Sequence, residues 1–264
     1  MNILEKIILH KKNEVASSKA KCSISQLEKS KLFNRESISL KDFLLDESRI
    51  GIIAEFKRKS PSLGIINSSA TVKDVTCGYV KAGASALSIL TDYEFFGGTS
   101  QDLSAARLLN DCPILRKDFV IDEYQLIEAK SIGADVVLLL ANVLSAQEIK
   151  KFAFTAKQLG LEVVLEIRDK VELESVNIYV DCVGINNRNL KDFSVNLNQS
   201  LDLVDKIPNE FIKISESGIS SAKVIHTLKS VGFKGFLIGE TFMKQNNPEK
   251  ACMDFIAEIN QYKL

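Results

Sequence analysis

The chain has 264 residues, 45% of them hydrophobic and 26% charged, with 34 lysines and arginines against 34 aspartates and glutamates. That composition is ordinary for a globular protein and excludes a disordered, collagenous or coiled-coil chain. Zero net charge argues against nucleic acid or an anionic membrane as partner, and two histidines, His10 and His226, are too few for a multi-histidine metal site.

The first element in chain order is an amphipathic helix over residues 2–20. Asn2 caps it, Glu5 three residues on completes a capping box, and Leu4, Ile7 and Ile8 share one face. Glu5 and Lys6 interrupt the apolar run, so the segment reads neither as a signal peptide nor as a membrane span. A second helical pattern covers 38–46. From there, short apolar runs recur at Ile50–Phe56, Ala86–Thr91, Pro113–Arg116, Val136–Leu140, Glu162–Ile167, Cys182–Ile185, Phe211–Ile214 and Gly235–Ile238. They lack polar alternation, as parallel strands buried on both faces do. Between them, Val72–Ala82, Ile121–Ser131, Ala146–Leu159 and Ser220–Ser230 have helical periodicity. Gly83, Gly133, Gly160 and Gly232 stand where helix C-caps belong.

Eight strand–helix units of roughly 25–27 residues each match a (β/α)8 TIM barrel. No G-x-G-x-x-G follows the first strand, which argues against a doubly wound open sheet. We expect an α/β fold with one TIM-barrel domain over 1–264, residues 1–48 being a helical extension and 49–264 the barrel. Cys22, Cys77, Cys112, Cys182 and Cys252 are scattered without a C-x-x-C spacing and read as reduced thiols of a cytoplasmic protein.

A TIM barrel carries its active site at the C-terminal strand ends. Glu55 and Lys57, two apart at the end of the first strand, point to the same side. Lys117 ends the third strand and Glu166 lies on the fifth, so both can converge on the same mouth. One such charge is an ordinary surface ion pair. Several from different strands read as acid–base equipment instead. After the last two strands, Ser217-Gly218 and Gly239-Glu240 each precede a helical segment, placing backbone N–H groups where barrels bind phosphate. Arg58 and Lys59 read as exposed loop charges. His226 reads as structural and His10 as surface.

The segments IIAEFKRKSPSLG (52–64), FFGGTSQDL (95–103), LRKDFVIDEYQ (115–125), GINNRNL (184–190), SESGI (215–219) and LIGETFM (237–243) occur in the order and at the strands of one family. Over essentially its whole length the chain resembles indole-3-glycerol phosphate synthases. The resemblance implies ring closure, decarboxylation and dehydration of 1-(2-carboxyphenylamino)-1-deoxyribulose 5-phosphate, a carboxy-lyase reaction of tryptophan biosynthesis without cofactor or metal. It matches Lys117 to the family's acid for ring closure, Lys57 to the partner of the substrate carboxylate and Glu166 to its catalytic glutamate, and leaves open which of the two lysines serves closure and which dehydration. Glu55 serves dehydration, and Asn186, Arg188, Glu216 and Ser217 orient the reacting groups. Ser60, Gly218, Gly239 and Glu240 match phosphate-binding positions, Glu240 through its backbone N–H. Phe96 and Phe119 pack on the aromatic ring. Leu63 and Arg168 depart from residues frequent in the family. The expected partner is a small phosphorylated substrate, with no nucleic acid and no membrane. The expected state is a monomer, with a homodimer as alternative.

Two other enzymes were weighed. A Schiff-base aldolase would use Lys57 or Lys117 as nucleophile. A phosphoribosylanthranilate isomerase would carry a Cys/Asp pair, where this first strand ends in Glu55 and Lys57. A non-catalytic phosphate-binding barrel would not need Lys57, Lys117 and Glu166 together.

Overall fold

In the computed structural model, which describes residues 1–189 and 193–261, the apolar runs become eight parallel strands. They are β1 (Ile52–Phe56), β2 (Ala86–Leu90), β3 (Ile114–Lys117), β4 (Val136–Leu140), β5 (Glu162–Ile167), β6 (Cys182–Asn186), β7 (Ile212–Glu216) and β8 (Gly235–Ile238). Each pairs with its neighbours in sequence, and β8 closes on β1 with Phe236 opposite Ile52, giving a TIM barrel without sheet edges. Only two strand residues are not fully buried: Glu162 at the N-terminal end of β5 and Lys117 at the C-terminal end of β3. Leu190, last residue of the Gly184–Leu190 motif, and residues 262–264 of the expected barrel segment lie outside the described residues.

Three strands run past the ends of their apolar runs, whereas β1 begins two residues later and β2 ends one residue earlier than theirs. β3, β6 and β7 continue to Lys117, Asn186 and Glu216. These polar residues stay in the ladder, Lys117 opposite Leu90 and Asn186 opposite Glu216. Apolarity cannot signal that, because these are the positions where a barrel strand turns polar to meet a ligand.

Four helices around the barrel follow the periodic segments: α4 (Val72–Ala82), α7 (Tyr124–Ser131), α8 (Ala146–Gln158) and α10 (Ala222–Ser230), whereas α6 (Ser100–Leu109), α12 (Pro248–Gln261) and the short α2 (Ile24–Leu27), α5 (Tyr93–Phe96) and α9 (Asn198–Leu203) lie outside those segments. Positive φ at Gly83, Gly133, Gly160 and Gly232 ends four of them. α7 begins three residues later than its periodicity predicts. There the Asp122 side chain accepts the Tyr124 N–H and Gln125 Oε1 accepts the Ile121 N–H, forming a turn instead.

The N-terminal segment touches both ends of the barrel. α1 (Ile3–Lys21) has the Asn2–Glu5 capping box and lays Ile7 against the upper core. Farther along, α3 (Leu40–Leu45) closes the lower end, where Leu40 and Leu44 pack with Ile53, Ile214 and Leu237. Glu162 fixes its N-terminus by accepting the Leu40 and Lys41 N–H groups at 2.8 and 3.1 Å. Asp135 holds the approach to it, accepting from the Ile38 N–H at 2.8 Å and pairing with Arg35 at 2.6 Å and Arg107 at 3.0 Å. Among the described residues no helix is long and apolar enough to cross a membrane.

α1 is pinned by a charge as well as by its apolar face. Lys11 is wholly buried, its Nζ 3.0 Å from Asp92 Oδ2 and 2.9 Å from Asp118 Oδ1, both aspartates also buried. Burial opposes its charge, but the aspartates lift Lys11 above an ordinary lysine, and Lys11 with Arg116 outweighs burial to hold Asp118 below an ordinary aspartate. Replacing Lys11 by alanine takes the ammonium away from two buried carboxylates, leaving Asp118 to Arg116 at 3.1 Å. Lys11→Ala is expected to lower unfolding stability by about 3–5 kcal/mol in denaturant titration. A loss within about 0.5 kcal/mol, as at an ordinary surface site, would contradict this role.

Candidate active site

The strand ends enclose a cavity of about 370 Å³ at the C-terminal mouth, within the usual size for a small ligand. Strand alternation sends Glu55 and Lys57, Lys117, Glu166, Asn186 and Glu216 inward together. Glu55 Oε1 accepts from Lys57 Nζ at 2.7 Å. Lys117 Nζ lies between two carboxylates, 2.9 Å from Glu166 Oε2 and 2.6 Å from Glu216 Oε2. The amide of Asn186 donates to the other oxygen of Glu166 at 2.9 Å, and its Oδ1 accepts the Arg188 N–H.

The two carboxylates differ in what surrounds them. Burial raises both. At Glu166 the Lys117 charge and the Asn186 hydrogen bond outweigh it, so this group is held below an ordinary glutamate. At Glu216 burial wins and the neighbouring Glu166 charge adds to it, against Lys117, pushing the carboxyl up to about 7. Its Oε1 is buried and has no hydrogen-bond partner among the described residues. The two neighbouring carboxylates are thus pushed apart, Glu216 toward its protonated form and Glu166 toward the carboxylate. Lys117 stands above an ordinary lysine: burial lowers it, and Glu166, Glu216 and Glu55 more than offset that.

The cavity has two chemically different ends. One is apolar: Phe96 and Phe119, ring centroids 6.0 Å apart, with Leu138 and Leu140 and with Ile3, Leu4 and Ile7 from α1. The other is formed by Ser60, Gly218, Gly239 and Glu240. Ser60 is buried in a short hairpin, Lys59–Ser60 against Gly64–Ile65, and its Oγ accepts the Leu63 N–H. After β7, Ser217 and Gly218 both take left-handed backbone angles, φ 68° and 75°. A non-glycine residue in that region is strained by about 1–3 kcal/mol and persists only where its surroundings hold it. Asn187 does so: its amide donates to the carbonyls of Glu216 and Ser217 at 3.0 and 3.1 Å. Because α10 begins only at Ala222, Gly218 sits in this turn rather than in the helix's first turn. Gly239 is the N-cap of the short α11 (Glu240–Met243). The Glu240 carboxylate is drawn to Arg188, 2.8 Å away, and Thr241 Oγ1 donates to the Ile219 carbonyl, tying the two loops together.

All the sequence-derived site residues line this one cavity. Arg58 differs from its expected exposure: it pairs with Asp102 through two bonds of 2.8 and 2.9 Å and stacks 4.7 Å over Phe56. It anchors the loop after β1. Lys59 donates to the Glu94 carbonyl. His226 faces the Ile259 carbonyl at 3.3 Å, and His10 lies edge-on to Phe95 with its side chain 44% exposed. Two residues and one packing role have no counterpart in the sequence reading. Lys11 sits beneath the mouth, Asn187 holds the strained turn, and α1 supplies part of the apolar wall. For Asn187 the signal was present, a doubled Asn after an apolar strand, but nothing local says which of the two faces inward.

Comparison with known proteins bears on what this cavity is for. A family model described as indole-3-glycerol phosphate synthase matches residues 4–255. A protein of that name from Bacteroides thetaiotaomicron is 47% identical over 258 residues, spanning 98% of this chain and 99% of the relative. Another, from Caldanaerobacter subterraneus subsp. tengcongensis, is 39% identical over 97% of this chain and 98% of its own length. Among solved structures, 3-hexulose-6-phosphate synthase from Salmonella typhimurium aligns with a TM-score of 0.63 at 13% identity, over 80% of this chain and 99% of that one. Tryptophan synthase subunit alpha from Legionella pneumophila aligns at 0.61 and 12%, over 84% and 95%. At such identities those structures share the barrel and nothing more specific. The near full-length sequence matches are of another order, and by them the chain belongs to the indole-3-glycerol phosphate synthase family.

Proposed function

We propose that the protein converts 1-(2-carboxyphenylamino)-1-deoxyribulose 5-phosphate into indole-3-glycerol phosphate, CO2 and water, as a carboxy-lyase. The observation that carries the mechanism is the Lys117 ammonium held between Glu166 and Glu216 on the cavity floor. In ring closure the aromatic carbon bearing the carboxylate attacks the ketone carbon. The ketone oxygen then needs a proton, and Lys117 supplies it as general acid. Lys57, paired with Glu55, holds the substrate carboxylate until its bond to the ring breaks and CO2 leaves with ring aromaticity restored. The new hydroxyl departs as water, with loss of a proton from the carbon beside nitrogen. Glu55 serves this dehydration.

Glu166, ionised and steadied by Asn186, stabilises positive charge developing on the ring system. Glu216, Ser217 and Arg188 orient the groups beside it. Phe96 and Phe119 receive the aromatic ring. Ser60 and the backbone N–H groups of Gly218, Gly239 and Glu240 receive the phosphate, the Glu240 carboxylate being engaged by Arg188. A Schiff-base nucleophile would have to be a neutral amine. The two carboxylates at Lys117 favour the ammonium, which supports a proton donor over a nucleophile.

Mixing the purified protein with the substrate should produce indole fluorescence. Its absence across neutral and mildly alkaline pH would overturn the proposal. Lys117→Ala should reduce turnover by about 10²–10⁴-fold with far-ultraviolet circular dichroism unchanged; near-normal turnover would remove Lys117 from its role. Glu216 gives a pH test. Its folded value, about 7, lies above that of a solvated glutamate, so the unfolded chain releases this proton first as pH rises. Between the two values the group disfavours the folded state increasingly with pH. Glu216→Gln should therefore gain stability relative to wild type from acid toward neutral pH, and should lose an inflection near neutrality in kcat/KM. Parallel stability curves would contradict the assignment.

A further inference from the structure

Gly184 lies in the middle of β6, fully buried, with a backbone that does not need glycine: its φ is not positive. A glycine inside a strand weakens it, and there it commonly marks a place where another group approaches closely. The group here is Glu216. A Cβ built at Gly184 would lie 2.4 Å from Glu216 Oε1 and 3.4 Å from its Cδ, far inside contact distance. Glu216 reaches this position from β7, where Gly184 is paired with Ile214 one inward-facing layer below the carboxylate. The glutamate bends down over bare β6 backbone. Its Oε1 is lodged there, buried and without a hydrogen-bond partner among the described residues, while Oε2 reaches Lys117 at 2.6 Å. A second carboxylate uses the same device: a Cβ at Gly239 would meet Glu55 Oε1 at 2.3 Å.

We propose that Gly184 is a positioning residue, whose missing side chain creates the niche that seats Glu216 against Lys117. The niche does two things. It sets the distance from Glu216 to the lysine, and it strips one carboxylate oxygen of polar partners. That desolvation is the chief cause of the raised affinity of Glu216 for its proton. A methyl group at 184 has no free volume to enter except the space Glu216 occupies, since Val164 Cγ1 closes the far side at 3.4 Å. It must drive the carboxylate up toward the mouth, away from its seat and into better solvation.

The inference rests on the proposed reaction for its kinetic readout, but not for its structural one. Gly184→Ala is expected to lower kcat by about tenfold to a hundredfold, as a displacement near 1 Å at a reacting group does, with KM little changed. The kcat/KM inflection near neutrality should move to lower pH. In the Glu216→Ala background the niche is empty, so adding Gly184→Ala should cost no further turnover. Thermal unfolding supplies the second cycle, independent of activity. Gly184→Ala should lower Tm in the wild-type chain, and should leave it unchanged or raise it beside Glu216→Ala, where alanine only stiffens the unfolded chain. Equal Tm losses in both backgrounds, or a Gly184→Ala enzyme with wild-type kcat and pH profile, would overturn the positioning role. A wild-type protein without turnover would overturn the proposed reaction and leave the Tm cycle to decide on Gly184.

Discussion

The site depends on one lysine held between two glutamates that cannot both be charged at low cost. Lys117 meets Glu166 and Glu216 inside 3 Å, in a cavity floor where each carboxylate is nearly inaccessible. Counting Glu55 and Lys57, three acids face two bases at the same mouth. One negative charge is left over, and burial makes it expensive. The cluster answers this by raising the proton affinity of Glu216 and lowering that of Glu166, because Asn186 donates to Glu166 while one oxygen of Glu216 leans on bare backbone. Two identical side chains are thereby driven in opposite directions, the usual way a barrel separates a proton holder from a charge stabiliser.

Such a cluster would relax if β3 could shift, and the residues either side of Lys117 prevent that. Alternation turns Lys117 inward and Arg116 and Asp118 outward. Arg116, almost wholly buried, bonds to Thr91, the Gln125 carbonyl, Asp118 and Glu128. Asp118 adds Thr91 Oγ1 at 2.6 Å, its own neighbour's Phe119 N–H, and Lys11 of α1. The inward lysine is thus clamped by a polar network behind the strand that also holds Phe119, one wall of the apolar end. Asp92, the other acid on Lys11, caps α5 (Tyr93–Phe96), which carries Phe96. One buried ammonium on α1 therefore restrains both aromatic residues of the cavity.

This explains what could be read in the sequence and what could not. Strand positions and inward-facing acids and bases depend on local periodicity and on the general placement of barrel sites, so Glu55, Lys57, Lys117 and Glu166 were accessible to it. Lys11 was not. It falls on the apolar stripe of α1, three and four residues after Ile8 and Ile7, where a lysine reads as one that lays its stem on the core and sends its ammonium to solvent. Only partners some eighty and a hundred residues away bury it. Arg58 failed for the same reason, Asp102 being invisible to any local pattern. The apolar runs of β3, β6 and β7 stop short of the strand ends because the last strand residues there are polar and face the cavity.

The role of α1 follows from the division of the cavity. In the proposed reaction the substrate carries a carboxylated aromatic ring at one end and a phosphate at the other, and the ketone between them must meet Lys117. The ring end is roofed by Ile3, Leu4 and Ile7. In that reaction a carboxylate under the roof is poorly solvated and faces Lys57, while the CO2 it becomes is neutral and needs no such support. Excluding water there weakens the ground state more than the decarboxylating one, and it strengthens every charge interaction around Lys117. A barrel without the helix would keep its acids and bases but would place the ring carboxylate in water. The buried Lys11 is what keeps that roof in register with the aromatic wall beneath it.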